Sequence, residues 1–162
     1  MADEFLGIYL NDHLAGALVA VELLQHLERA YSGQAVEQFA TALRADIEDD
    51  RRELRQLMSH LNVAESKARQ ATAWVAERVT LMKLRLDDWA AGDFRLFEAL
   101  EALALGIEGK RALWVALAEA AERAPVLRLL DYDRLVRRAV EQRERVEARR
   151  LATALSALVP AH

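Results

Sequence analysis

The chain predicts an all-α fold, a bundle of four long helices, on three observations. Ala, Leu, Glu and Arg dominate, and only two prolines and six glycines occur in 162 residues, a composition of strong helix formers. Residues that break helices cluster at four places, Ser32-Gly33, Asn62 to Ser66, Asp87 to Asp93 and Ala124 to Asp131. Between the breaks, apolar residues recur three and four apart, the period of a helix with one buried face. With 53% hydrophobic and 30% charged residues, residues 1–162 suit one domain with a filled core and a solvated outside.

The breaks separate helices over about 3 to 31, 34 to 61, 66 to 86, 94 to 123 and 132 to 158, four long and one shorter. The first, with "LAGALVAVELL", is apolar on most of its circumference, the pattern of a helix buried on more than one side, and carries Glu22 in its midst. In the second, Val36, Phe39, Leu43, Ile47, Leu54, Leu57 and Leu61 form one stripe. The third long helix, "LFEALEALALGIEG", is again apolar nearly all round. The last is charged on most sides, with a thin seam of Leu135, Val136, Ala139, Val140, Val146 and Leu151, and is expected to be the wettest.

Connection lengths predict the topology. A tight first turn and a short last linker make two antiparallel hairpins, and the shorter helix, roughly 30 Å long at 1.5 Å per residue, can carry the chain from one end of the bundle to the other. One long crossover between two hairpins is the ferritin-like arrangement. The segments "YLNDHLAGALVAVELL", "DIEDDRRELRQLM" and "LFEALEALALGIEGKRALW" resemble small bacterial proteins of ferritin-like type. That resemblance implies a fold rather than an activity.

Ferritin-like proteins that do chemistry commonly hold two metal ions at mid-bundle, using a Glu from each of two helices and a Glu-x-x-His from each of the others. Acids fall near the middle layer of all four long helices: Glu22; Asp46, Asp50 and Glu53; Glu101 and Glu108; Glu144 and Glu147. All but Asp46, together with His13, are the candidate metal ligands. Asp50 stands out because it occupies a stripe position, between Ile47 and Leu54, that calls for an apolar residue. No Glu-x-x-His occurs in the second or fourth long helix, where "Asp50-x-x-Glu53" and "Glu141-x-x-Glu144-x-x-Glu147" stand instead. An all-oxygen set leans toward manganese, magnesium or calcium rather than iron.

A second reading needs no metal. Lys110 falls on the stripe of Leu100, Leu103, Ile107, Trp114 and Leu117, and Arg143 lies near the seam of the last helix. Buried charges must be paired, so Glu22, Asp50, Glu108, Lys110 and Arg143 are expected to form a mid-bundle network. Trp74, Trp89 and Trp114, with Phe94 and Phe97, read as core, and Gly106-x-x-Gly109 as a site of close helix packing.

These patterns exclude several classes. Without cysteine there are no disulfides, thiolate metal sites or thiol nucleophiles. No phosphate loop or dinucleotide fingerprint is present. A net charge of −4 gives no overall attraction to nucleic acid or anionic lipid, and the arginines of the last helix are interleaved with glutamates at ion-pairing spacing. No uncharged run approaches the roughly 20 residues of a membrane span. The N-terminus lacks a signal-peptide pattern, so the expected location is cytoplasmic. Two functional classes follow. One is a non-catalytic interaction or small-ligand-binding bundle with no cofactor, open to homodimer formation. The other is a carboxylate-bridged protein of iron or manganese, for oxidase, peroxide-handling or storage chemistry.

Overall fold

A computed structural model describes residues 2–66 and 92–159 of the chain. Within them lie four long helices and no strand: α1 (Ala2–Ala30), α2 (Ala35–His60), α3 (Gly92–Ala121) and α4 (Tyr132–Leu158), with a 3₁₀ turn at Pro125–Leu127. Each helix ends where local chemistry stops it. After α1 the chain turns through Gly33, whose φ of 78° suits a residue without Cβ, and the Glu37 carboxylate accepts a hydrogen bond from the Gly33 amide at 2.6 Å. The end of α2 is a complete Schellman motif: the Val63 amide donates to the Met58 carbonyl at 2.9 Å and the Asn62 amide to that of Ser59 at 3.1 Å. Asn62 takes the left-handed position with φ of 55°. Arg128 donates to the last carbonyls of α3, Ala121 and Glu122, at 2.8 and 2.9 Å. Asp131 caps α4 through the Arg134 amide at 3.0 Å.

Packing joins α1 to α2 and α3 to α4 as closely apposed pairs, and α1 also touches α3. The core falls into two apolar clusters. One gathers Leu24 and Leu27 of α1, Leu43 and Ile47 of α2, Leu100 and Leu103 of α3 and Val146 of α4. The other gathers Leu10 and Leu14, Leu54 and Leu57, Trp114 and Leu117, and Leu135 from the same four helices. Cluster membership fixes the directions. The late half of α1 meets the early halves of α2 and α3 and the later part of α4, so both pairs are antiparallel while α2 and α3 run the same way. The end of α2 and the start of α3 therefore lie at opposite ends of the bundle. The Tyr31 hydroxyl, donating to the Gly92 carbonyl at 2.9 Å, ties the first turn to the start of α3. At the other end Asn11 of α1 donates to the Ala64 carbonyl at 3.1 Å and accepts from the Ser66 amide at 2.8 Å.

The crossover helix expected over about 66 to 86, with Trp74 and Trp89, falls in residues 67–91, outside the described residues. Elsewhere the α2 stripe holds, with Val36, Leu43, Ile47, Leu54 and Leu57 buried and Phe39 and Leu61 partly so. The α4 seam is thinner than expected: Leu135, Ala139 and Val146 are buried, but Val140 and Leu151 face solvent. Val140 follows the buried Ala139 by one residue, about 100° round the helix, and Leu151 follows Val146 by five, about 140° round, so both fall outside a thin seam. Phe94 is likewise exposed, at the first turn of α3, whereas Trp114 is core. On α3, Leu105 is 66% exposed, so the helix is not buried all round. A Cβ built at Gly106 or Gly109 meets nothing within 4 Å; these glycines face open space and do not serve close helix packing within the described residues.

Asn62 makes the α2 terminus testable. Asn62→Ala places a Cβ-constrained residue at positive φ without the asparagine's tolerance for it, so we expect a loss of about 1 kcal/mol, with Asn62→Gly neutral or stabilising. Urea denaturation of the two variants measures both.

Candidate functional site

Between the two apolar clusters lies one polar layer, built from residues that occupy inward stripe positions on three helices. Asp50 follows Ile47 and precedes Leu54 on α2. Lys110 follows Ile107 and precedes Trp114 on α3. Gln142 lies between Ala139 and Val146 on α4. Asp50 and Gln142 are the buried polar residues of the core, each 2% exposed. The Lys110 side chain, 14% exposed, crosses from α3 to α2 and donates from Nζ to Asp50 Oδ2 at 2.5 Å.

Gln142 closes the arrangement. Its Oε1 accepts from Lys110 Nζ, and its Nε2 donates to Asp50 Oδ2 at 2.8 Å. One amide thus presents its acceptor to the cation and its donor to the anion, the pairing that satisfies both without adding net charge. Burial pushes the Lys110 ammonium below its ordinary value, and the Asp50 charge and hydrogen bond hold part of it up. Asp50 Oδ1 has no hydrogen bond, but Arg138 of α4 brings its guanidinium to 3.3 Å from that oxygen.

From Arg138 outward, charge alternates along the facing sides of α2 and α4. Arg138 also donates to the Asp46 carbonyl at 3.3 Å and lies 3.9 Å from the Asp49 carboxylate. Arg134 pairs with Glu53 at 2.6 Å, and Arg145 pairs with Asp46. Farther along, Arg149 donates to the Ala35 carbonyl at 3.4 Å and lies over the Phe39 ring, 5.3 Å from its centre. Antiparallel helices make this ladder possible, because positions rising along α4 meet positions falling along α2.

The expected five-residue network is therefore corrected in membership. Asp50 and Lys110 meet as the periodicity predicts. Glu108 instead holds Arg111 one turn along its own helix at 2.7 Å, and this hydrogen bond draws its carboxyl below the usual range. Arg143 is exposed and approaches Glu108 at 3.8 Å. Glu22 is half-buried on α1, while the groups bonded to Asp50 and Lys110 come from α2, α3 and α4. Gln142 and Arg138 complete the described contacts of Asp50 and Lys110. Gln142 was findable by the criterion that exposes Asp50, a polar residue on an apolar row, but a neutral amide gives no charge signal.

The remaining expected ligands are spread apart. Glu53 is engaged by Arg134. Glu101 and Glu147 are both held by Arg150, at 3.2 and 2.8 Å, and Glu144 is exposed. His13 packs edge-on to Tyr9 with ring centres 4.7 Å apart, and burial lowers its pKa against the opposing charge of Asp12. Among the described residues no group of three or more His, Asp or Glu side chains is placed to hold a metal ion. In the polar layer an ammonium sits against the buried carboxylate of Asp50, and Glu53, Glu101 and Glu147 lie against arginines.

Comparison with known proteins adds no relative: no family model matches the chain, and no curated protein and no solved structure is significantly similar to it. Among the described residues, no helix is long and apolar enough to cross a membrane.

The layer predicts an asymmetric mutational response. Lys110→Ala leaves Asp50 buried without its main partner and should cost about 3 to 5 kcal/mol, whereas replacing the whole layer, as Asp50→Leu, Lys110→Met and Gln142→Leu together, should recover most of that loss. Urea midpoints of the single and triple variants test this.

Proposed function

We propose that the chain is a ferritin-like bundle in which a tethered ammonium stands in for the mid-bundle metal ions, and that it works as a non-catalytic interaction or small-ligand-binding protein. The observation that carries this reading is Lys110 Nζ at 2.5 Å from Asp50 Oδ2, inside a triangle closed by Gln142. A metal ion needs several anionic or neutral donors with their lone pairs free. Here the buried carboxylate already has a cation, a second cation stands at 3.3 Å, and the only other donor in the triangle is an amide oxygen bonded to the ammonium. The ferritin-like order of two hairpins and a crossover is supported by the parallel run of α2 and α3, whose connection has to travel the length of the bundle. A structural role for the polar layer is supported by the mutual engagement of its carboxylate, amide and ammonium.

Elemental analysis of protein purified without chelator, after growth with added iron and manganese, tests the proposal. Less than about a tenth of an equivalent of metal per chain is expected, because charged and closed donor sets do not retain divalent ions. One or two equivalents, lost in Glu22→Ala or Glu108→Ala, would overturn it in favour of the carboxylate-bridged metalloprotein.

A further inference from the structure

We infer that the bundle opens along the edge between α2 and α4, through a ladder of ion pairs that salt loosens, and that this edge is the route by which water and solutes reach the Asp50–Lys110–Gln142 layer. The four helices do not meet equally. Short turns at residues 31–34 and 122–131 tie α1 to α2 and α3 to α4, and these pairs approach closely along their length. Along the α1–α3 side the apolar rows of both clusters continue, with Leu10, Leu14 and Leu24 facing the same cores as Leu100, Leu103 and Leu117. α2 and α4 share these cores as well, through Leu43, Leu54 and Leu57 on one helix and Leu135 and Val146 on the other, and outside them they carry a ladder of long side chains: Arg134 on Glu53, Arg138 on Asp46 and Asp50, Arg145 on Asp46, and Arg149 on the Ala35 carbonyl.

Two physical features make that edge responsive to salt and water. Its outer pairs are wet, the Arg134 and Arg145 side chains being 40% and 46% exposed, and exposed ion pairs are individually weak and screened by salt. Behind them at mid-bundle lies the Asp50–Lys110–Gln142 layer, so water entering there meets groups it can hydrogen-bond. Local opening favours regions of exposed hydrogen bonds and few buried apolar contacts, and a wet ladder backed by a polar layer is such a region between the two hairpins.

The absence of cysteine from the chain allows single thiols to report the opening without background. Ala139→Cys and Val146→Cys place near-isosteric thiols at buried positions of α4 beside the ladder, and Ala40→Cys places one at a buried position of α2 on the flank that carries Arg44 toward Glu28 of α1. Each is labelled with a thiol reagent under native conditions from about 0.01 M to about 1 M sodium chloride, over which the screening length falls from roughly 30 Å to 3 Å. The α4 thiols should react about tenfold faster at high salt, and the Ala40 position should not, because it lies in the α1–α2 pair, which is closely apposed and joined by a short turn. Adding Arg134→Gln and Arg145→Gln should give the fast rate at low salt and remove the salt dependence. Salt-independent labelling at both α4 positions would overturn the inference. So would equal acceleration at all three positions, which marks unfolding of the whole bundle. Two α4 probes guard against a single variant that fails to fold, and none of these outcomes depends on whether the protein binds metal.

Discussion

A carboxylate with 2% exposure must find a positive partner, and that requirement at Asp50 organises the bundle. The partner is an ammonium on the end of the longest flexible side chain available, which lets α3 answer a charge on α2 across the core. Because Lys110 Nζ also meets Gln142 of α4, three helices are fixed in register at one level. A slide of one helix by a turn would leave an acid, an ammonium or an amide among leucines, each a costly burial. The two apolar clusters on either side are less particular, since leucine rows tolerate repacking. Stability comes mainly from the clusters, and the polar layer contributes the single alignment in which its carboxylate, ammonium and amide meet, the role that buried polar residues hold in some helical assemblies.

Outward from that layer the same electrostatics weakens step by step. Arg138 is half-buried and touches three acidic positions, Arg134 and Arg145 are wetter, and Arg149 ends on a backbone carbonyl and an aromatic face. Arginine suits this gradient, because its planar guanidinium keeps several donors while its stem covers apolar surface. One edge of the bundle consequently carries a ladder of charge outside the apolar cores that all four helices share. That ladder links packing to motion and gives the buried layer a side from which it can be reached.

Much of this was legible in the residues. Helix ends were marked by Gly33, Asn62 and the Pro125 region, since positive φ and a missing amide leave few alternatives. Asp50 and Lys110 announced themselves as charges on apolar rows. Periodicity failed where one residue of rotation decides the outcome. Positions 142 and 143 differ by about 100° around a helix, and the charged Arg143 drew attention that belonged to neutral Gln142. Glu22 shows a second limit, because an acid in an apolar stretch can be half-buried where Asp50 is fully buried. Most of the outer acids read as ligands by spacing, yet Glu53, Glu101, Glu108 and Glu147 each sit within reach of an arginine whose rotamer no sequence pattern specifies.

Chemically, the layer resembles a metal site inverted: a fixed internal cation rather than an exchangeable one, bound by one carboxylate and one amide oxygen. Such a centre fixes structure, and its strength lies in the direct coupling of Asp50 to Lys110. A double-mutant cycle with Asp50→Asn and Lys110→Met, read from urea denaturation at neutral pH, measures that coupling. The account predicts a coupling energy of at least about 2 kcal/mol, in the range found for close charged pairs within one network. A value below about 0.5 kcal/mol, the level of independent sites, would contradict it.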